Sequence, residues 1–491
     1  MDFTAPQLNL LIILPVVIVV GWAIALMFID FRIPRDKKQW TGWLTLVGIA
    51  PALVYAWLQW NRPGAAFTPA GGTPMVLLDN YSVFLNILYL LAATLTVLLS
   101  IGYIHQARLE RAEYYFLMLF SISGMMLMGM ANDLILVFLA LELLSIPLYI
   151  LSGFDNRNAK SEESAMKYFL LGAFSSGFFV FGIALTYGAT GSTALPVIVQ
   201  KIGESGALGL GGMAMLLVGF AFKVAVVPFH MWTPDVYEGA PTAITAFMSV
   251  GAKIGGFAAL IRVFGAGLAT MGAAWGPALA VLAALTMIVG NIAAISQQNI
   301  KRMLAYSSIA HAGYIMLGVA ASLRSADGIG SALFYMLAYL FTNLGVFAIV
   351  IALERHEGQK GLLLEDYKGL ARRQPMLALV LAYLMLSLIG IPTTSGFTAK
   401  FFVFRSAIDA GLVWLVVIGA LTSVVSAFYY IRPVYYAYMY DGPAEAATPR
   451  ALQLVLAAAA LATLVLGFVP MPWYDAARQA TMQGLTLLAG G

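Results

Sequence analysis

The sequence has no cysteine and little charge. Only 10% of its 491 residues are Asp, Glu, Lys or Arg, whereas 61% are apolar. Soluble domains have about 25% charged residues, so these charges are too few to cover a water-facing surface, and a soluble enzyme is excluded. Without cysteine the chain cannot hold an iron–sulfur cluster by thiolates, a disulfide or a zinc–thiolate site. The high hydrophobicity also excludes intrinsic disorder, and lipid is the expected solvent.

Long apolar segments make up most of the sequence, and they predict an all-α polytopic membrane protein. One spanning helix takes about 20 apolar residues, and fourteen segments of suitable length occur. They are 8–29, 41–60, 80–103, 114–131, 134–153, 162–189, 208–231, 241–264, 274–296, 302–322, 328–352, 375–410, 412–438 and 452–472.

Two of these segments are predicted to be broken helices. The seventh contains Pro228, which lacks a backbone donor and clashes with the carbonyl of Val224 four residues earlier. The twelfth is too long for one straight span and contains Gly390, Pro392 and Gly396 in its middle. Interrupted spans are tolerated only where protein or a water-filled cavity surrounds the freed backbone groups.

Basic residues are distributed unequally between alternate loops, 17 against 6. The positive-inside rule places the richer set in the cytoplasm, and an even number of spans then places both termini outside. The richer set is Arg32, Arg35, Lys37, Lys38, Arg108, Arg111, Arg157, Lys160, Lys301, Arg302, Arg355, Lys360, Lys368, Arg372, Arg373, Arg432 and Arg450. The poorer set is Arg62, Lys201, Arg262, Arg324, Arg405 and Arg478. The apolar start is interpreted as the first span, because it has no basic residue before it and is too long for a signal peptide.

Two broken helices lie five spans apart, each with a lysine nearby, which is the pattern of transporters built from inverted repeats. We therefore expect four parts: three helices in 1–105, a first antiporter-like repeat in 112–264, a second, inverted repeat in 274–438, and a last helix with a tail in 452–491.

Five ionisable residues fall inside the apolar spans: Glu142, Lys167, Lys223, Lys253 and Lys400. Each such group costs about 2.5–3.5 kcal/mol at a helix centre. They are either structural ion pairs and snorkelling lysines or a functional set, and Lys167 fits the first interpretation best because it lies only about two turns into its helix.

The functional interpretation is a proton relay. A lysine has a pKa near 10.4 in water, and burial can lower this value to the neutral range. Glu142 and Lys167 are the predicted switching pair, and Lys223, Lys253 and Lys400 the predicted relay stations. His230 and His311 could carry protons as well, although each could equally be a hydrogen-bonded core histidine. A less favoured alternative is that the two histidines bind a haem. His105 and His356 are expected in charged cytoplasmic loops.

Several segments carry a resemblance to a known family: ELLSIPLYILSGF at 142–154, ESAMKYFLLGAFSSGFFVFGIALTYGATGST at 163–193, GFAFKVAVVPFHMWTPDVYEGAPTAITAFMSVGAKIGGFAAL at 219–260, NIKRMLAYSSIAHAGY at 299–314 and GIPTTSGFTAKFFVF at 390–404. With them the chain resembles the subunit N family of bacterial NADH–quinone oxidoreductase (respiratory complex I), a family of antiporter-like membrane subunits.

The resemblance implies a fourteen-helix fold in which helices 4–8 and 9–13 are inverted repeats. Glu142, Lys167, Lys223, Lys253 and Lys400 match the family's charged residues on helices 5, 6, 7, 8 and 12, which form a polar axis thought to carry one pumped proton. It further implies that this chain binds no cofactor, whereas FMN, iron–sulfur clusters and quinone are used by other subunits. The long lateral helix of the related subunit L is expected to be absent.

The expected partners are the neighbouring antiporter-like subunits and the small membrane subunits of such a complex, within the bacterial inner membrane and without nucleic acid. The alternative is a subunit of a multisubunit sodium–proton antiporter, which shares the same ion-handling residues. A third hypothesis, from a different class, is a haem-bearing membrane cytochrome.

Overall fold

Helices account for most of the computed structural model, which describes residues 7–34, 37–355 and 361–489, with side chains described to residue 480. The α-helices are α1 Leu14–Asp30, α2 Gln39–Leu58, α3 Asn80–Gln106, α4 Glu113–Met130, α5 Leu134–Ser152, α6 Ala159–Thr190, α7 Leu195–Lys201, α8 Gly206–Lys223, α9 Trp232–Gly239, α10 Thr242–Phe247, α11 Lys253–Arg262, α12 Gly272–Ile295, α13 Ile300–Ala321, α14 Gly328–Leu353, α15 Leu370–Arg373, α16 Pro375–Ile389, α17 Ser395–Asp409, α18 Val413–Met439, α19 Arg450–Phe468 and α20 Met471–Ala489.

Twelve helices in the described residues are long and apolar enough to cross a membrane, and two shorter apolar helices, α1 and α16, accompany them. One of the twelve, Thr242–Gly267, joins α10 and α11 through a π-helical segment, Met248–Ala252, and ends in a second one, Val263–Gly267. It is buried along its whole length, whereas helices such as α6 and α18 expose large apolar side chains. The protein is therefore a multi-pass membrane protein with one central, fully enclosed helix.

The seventh apolar segment is broken, as predicted, but the helix ends earlier than Pro228. Helix α8 ends at Lys223, and α9 begins at Trp232. Proline at 228 would clash with the carbonyl of Val224 in a continuous helix, so the chain leaves the helix before that residue, and Ala225 takes a left-handed conformation with φ 61°. The freed groups find protein partners: the Trp232 indole donates to Phe222 O, and Val227 N donates to Thr286 Oγ1.

The twelfth segment is broken as predicted, between α16 and α17. Gly390 ends α16 with φ 92°, and Thr393 also has a positive φ of 74°. Thr394 then caps α17, since its side chain accepts from Phe397 N. Both interruptions therefore contain a non-glycine residue in the left-handed region, which is uncommon and typical of functional positions.

Three features differ from the prediction. A short antiparallel hairpin, strands β1 Gly64–Ala66 and β2 Val76–Leu78, was not predicted and lies between α2 and α3 of the otherwise helical fold. The predicted C-terminal tail contains the helix α20, which packs against α3 and α14. Arg262 and Lys301 were predicted in loops but are buried, each with 3% exposure. The predicted loop residues Arg35, His356 and Lys360 lie outside the described residues.

Candidate functional site: a row of buried lysines

Lys223 is the last residue of α8 and lies at the interruption of the seventh segment. Only 5% of it is exposed, and its Nζ donates to Ser145 Oγ of α5 at 2.7 Å. Its ammonium also lies 5.7 Å from the ring centroid of Tyr168. The C-terminal end of a helix carries partial negative charge, so this position favours a cation without a carboxylate in contact with it.

Lys253 begins α11, directly after the π-helical segment Met248–Ala252. It is 3% exposed, and its Nζ donates to Ser308 Oγ of α13 at 2.6 Å and to the Ser308 carbonyl. It lies close to Lys223, because a Cβ added to Gly256, one turn further along α11, would be 3.1 Å from the Lys223 side chain. Glycine at 256 thus allows α8 and α11 to approach closely next to the two lysines.

Lys400 of α17 reaches back across the second interruption. Its Nζ donates to the carbonyls of Leu388 and Ile389 at 3.2 and 2.8 Å, at the C-terminal end of α16, and to Ser423 Oγ of α18 at 2.7 Å. It also lies 4.7 Å from the ring centroid of Tyr314. Lys400 therefore satisfies backbone groups that the helix break has freed.

Lys223, Lys253 and Lys400 share one arrangement: each donates to the hydroxyl of a serine on another helix, Ser145, Ser308 or Ser423. A fourth buried lysine, Lys301, instead donates to the backbone carbonyl of Ala240. A hydroxyl accepts from an ammonium and can donate to a neutral amine. A lysine with such a partner can lose its proton without leaving a buried carboxylate unpaired. These contacts are suited to reversible protonation.

His311 of α13 lies between Lys253 and Lys400. Its Nδ1 contacts Tyr335 Oη at 2.7 Å, and its Nε2 contacts Tyr430 Oη at 3.0 Å. Tyr430 also pairs with Ser307, and Tyr314 accepts from Ser423. With both ring nitrogens bound to tyrosine hydroxyls, His311 is a hydrogen-bonding histidine rather than an axial haem ligand.

Glu142 lies half-buried on α5, and its Oε1 accepts from Ser176 Oγ of α6 at 2.5 Å. A small cavity lined by Ser176, Ser145 and Lys223 adjoins this contact. Ser176 therefore connects the Glu142 carboxylate to the cavity that Lys223 also lines.

Glu142 and Lys167, the predicted switching pair, are not in contact in this structure. The Lys167 Nζ lies 2.5 Å from Asp235 Oδ2 and 2.6 Å from Glu163 Oε1, and its side chain is 39% exposed. Asp235 also binds Arg302, so that α6, α9 and α13 are joined by one network of ion pairs. Lys167 thus has the contacts of a structural ion pair, which is the alternative that the sequence analysis left open for this residue.

His230 lies half-buried in the connection between α8 and α9, and its Nδ1 has no hydrogen-bond partner among the described residues. The structure does not bring it into hydrogen-bond contact with the lysines. His105 is exposed and pairs with Glu110 at 2.7 Å, as expected for a loop-side histidine. Within the described ranges, no group of three or more His, Asp or Glu could hold a metal ion.

One buried ion pair was missed by the sequence analysis. Arg262 of α11 binds Asp79 through two parallel contacts of 2.9 Å, and both side chains are at most 2% exposed. Asp79 also caps α3 by accepting from Ser82 N at 2.8 Å. Unlike the lysines, Arg262 keeps its proton, so this pair is structural. The sequence analysis assigned Arg262 to a loop because it lies only two residues before the predicted end of the eighth span.

Gly390 offers a test of the Lys400 geometry. A Cβ at this position would lie 3.0 Å from Lys400 Cδ and 3.6 Å from Nζ, so we expect Gly390→Ala to displace the ammonium and lower proton translocation by the parent complex. Gly411→Ala is the matched control, because Gly411 also has a positive φ, 78°, but open space around its Cα. Equal effects of both variants on translocation per assembled complex would show that backbone strain alone, and not Lys400, is responsible.

The match to a family model agrees with this geometry. The model of the NADH:quinone oxidoreductase/Mrp antiporter transmembrane family matches residues 131–426, which include both interruptions and the serine-paired lysines Lys223, Lys253 and Lys400. The fold alone is also similar to a chain of the Mrp complex from Dietzia sp. DQ12-45-1b, with a TM-score of 0.83, 20% identity and coverage of 97% of this chain and 98% of that one.

Proteins with higher sequence identity to this chain narrow the family assignment. NADH-quinone oxidoreductase subunit N of Chloroflexus aggregans is 46% identical over 96% of this chain and 97% of its own length. A chain of respiratory complex I from Thermus thermophilus has a TM-score of 0.80 at 37% identity, covering 94% of this chain and 98% of that one. The chain therefore belongs to the subunit N family of NADH-quinone oxidoreductase, within the wider antiporter-like membrane family.

Proposed function

We propose that this chain is a proton-translocating, non-redox subunit in the membrane arm of a NADH–quinone oxidoreductase. Quinone reduction on other subunits would drive protons through Lys223, Lys253 and Lys400. The observation that carries this proposal is the shared partner chemistry: three buried lysines, each held by a neutral hydroxyl on another helix. The identity to subunit N relatives favours this function over that of a sodium–proton antiporter subunit, for which the likeness shows the fold alone.

The relay is proposed to begin at Glu142 and to act on Lys223 through Ser176, the adjoining cavity and Ser145. Beyond Lys253, the hydroxyls of Ser307 and Tyr430 lead to His311, and Tyr314 with Ser423 leads to Lys400. Lys167 is proposed to support this relay from the ion-pair network at the start of α6, and His230 is a candidate for proton access at the first interruption.

We further propose fourteen membrane crossings, in which each broken helix counts as one, with both termini outside in the bacterial inner membrane. The parts 1–105, 112–264, 274–438 and 452–491 would be the N-terminal helices, two inverted repeats and the C-terminal segment. Neighbouring antiporter-like subunits and small membrane subunits would cover the exposed apolar flanks, and FMN, iron–sulfur clusters and quinone would reside on other chains.

Glu142→Gln tests the start of the relay. The substitution removes the charge but retains an oxygen that can accept from Ser176, so the complex should assemble in normal amount while proton translocation falls several-fold. The measurement is proton uptake per quinone reduced, in vesicles that hold the purified complex. A lower amount of complex with full translocation per complex would instead make Glu142 a structural residue.

A further inference from the structure

Asn343 of α14 is fully buried against the π-helical segment that precedes Lys253. Its Nδ2 donates to Ser249 Oγ at 2.6 Å. Ser249 in turn donates its hydroxyl hydrogen to Ala246 O at 2.7 Å. Because that hydrogen is already used, the Ser249 oxygen must accept, and the group that faces it must be the Asn343 amide nitrogen. The orientation of the Asn343 amide is thereby fixed.

This orientation leaves the Asn343 side-chain carbonyl without a partner. Its Oδ1 is buried and has no hydrogen bond among the described residues. A buried acceptor without a partner is destabilising, and such atoms are rare in folded proteins. An unpartnered carbonyl within the membrane therefore points to a donor that occupies it in another state of the protein.

One N–H group of the Lys253 ammonium is not directed to Ser308. An ammonium has three N–H groups, and two of them are directed to Ser308, at its hydroxyl and its carbonyl. Ser249 lies four residues before Lys253 in the same continuous helix, and helical side chains lean toward the N-terminus, which brings the ammonium toward Ser249. Tyr339, one turn before Asn343 on α14, lies 4.8 Å from the His311 ring. Tyr339 also lies near Ser308, the partner of Lys253, so the Tyr339–Asn343 face of α14 packs beside the segment from Ser249 to Lys253.

We propose that the side-chain carbonyl of Asn343 is a second acceptor for the Lys253 ammonium, and that Lys253 moves between Ser308 and Asn343 as protons pass. Ser308 is the site occupied in this structure. The Asn343 site lies about one turn closer to the beginning of α10, and it would hold the protonated lysine away from His311. This inference rests on the proposed relay function, and it assigns Asn343 as a positioning residue.

Other titratable groups surround Lys253 and stay constant in the experiment. They are Lys223 of α8, Tyr237 of α9, His311 of α13, Tyr339 of α14 and Tyr430 of α18. On helix α4, Met125 lies next to Gly251 and Gly255 of this helix. Asn343→Leu changes none of these groups, and Asn343→Asp adds a single carboxylate, so opposite shifts of the pH profile in the two variants would report the Lys253 environment.

Two nearly isosteric variants test the proposal in opposite directions. Asn343→Leu removes the acceptor, so proton translocation by the vesicle-reconstituted complex should fall at least about threefold at neutral pH, with its pH profile shifted about one unit to lower pH. Asn343→Asp places a carboxylate at the same point, which favours the ammonium, so the profile should shift to higher pH. Asn86→Leu is the matched control, since Asn86 is also fully buried with an unpartnered Oδ1 but contacts Met130.

The outcomes separate this inference from the function on which it rests. If Lys253→Ala abolishes translocation while both Asn343 variants retain the wild-type profile, the second acceptor is wrong and the relay stands. If Lys253→Ala pumps normally, the relay itself is wrong. A loss of assembled complex in both Asn343 variants, with an unshifted profile in the remainder, would make Asn343 a purely structural residue and overturn the proposal.

Discussion

Lys223→Ala is expected to lower proton translocation by the assembled complex at least about tenfold, since a positioned acid–base group typically contributes more than that to a proton-transfer step. Lys223 connects the Glu142 side of the relay to Lys253: it donates to Ser145, and it packs against Gly256 one turn from Lys253. Alanine removes the ammonium between them. Quinone reduction coupled to translocation should fall as well, while assembly remains normal because the lysine has no carboxylate in contact with it.

The readouts are proton uptake and quinone reduction in vesicles that contain the purified complex, each normalised to the amount of complex. Lys201→Ala is the control, because Lys201 is an exposed lysine at the end of α7. Normal translocation by an assembled Lys223→Ala complex would contradict the relay assignment.

Arg262→Met is expected to destabilise the folded chain by about 3–5 kcal/mol, because it leaves the Asp79 carboxylate buried and unpaired. Arg262 and Asp79 are both at most 2% exposed, and Arg262 also lies 4.9 Å from the Tyr81 ring. The pair ties the start of α3 to the end of α11, so its loss should reduce the amount of complex in the membrane. The thermal midpoint of the purified complex and its yield measure the effect.

A double variant tells whether the unpaired charge is the cause. Asp79→Asn combined with Arg262→Met removes both charges and retains an Asn cap on α3, so most of the lost stability should return. Arg372→Met is the exposed control, since the Arg372–Asp441 pair lies mostly in solvent and such pairs contribute at most about 1 kcal/mol. An unrescued double variant would assign the effect to lost packing of the arginine side chain.

The helices and their interruptions were predictable, because apolar run length and proline chemistry act locally. Pro228 and Gly390 marked both breaks correctly. The exact end of α8 was not predictable, since it depends on which partners satisfy the freed backbone groups. Here the Trp232 indole donates to the Phe222 carbonyl, and Thr286 Oγ1 accepts from Val227 N.

The buried lysines were found because a charge inside an apolar run is conspicuous in any sequence. Their serine partners were not found, since Ser145, Ser308 and Ser423 lie on other helices and serine is unremarkable within a span. The contacts of Lys167 with Asp235 and Glu163 and the pairing of Arg262 with Asp79 were not predictable for the same reason. Contacts across helices depend on how each helix is rotated about its axis, and apolar length does not encode that rotation.

The row of lysines has an electrical consequence. At 1.5 Å per residue, Lys253 lies about 16 Å from the start of α10, and Lys400 lies about 14 Å from the end of α17. Both lysines are therefore near the middle of a membrane hydrocarbon core about 30 Å thick. Lys223 lies beside Gly256, one turn from Lys253. Moving a charge across the full membrane potential requires about 2.3 kcal/mol per 100 mV, whereas a step between groups at similar depth crosses almost none of that field. Transfers along the row would then be nearly independent of voltage, and the work against the potential would fall on the steps that load the row from one face of the membrane and empty it to the other.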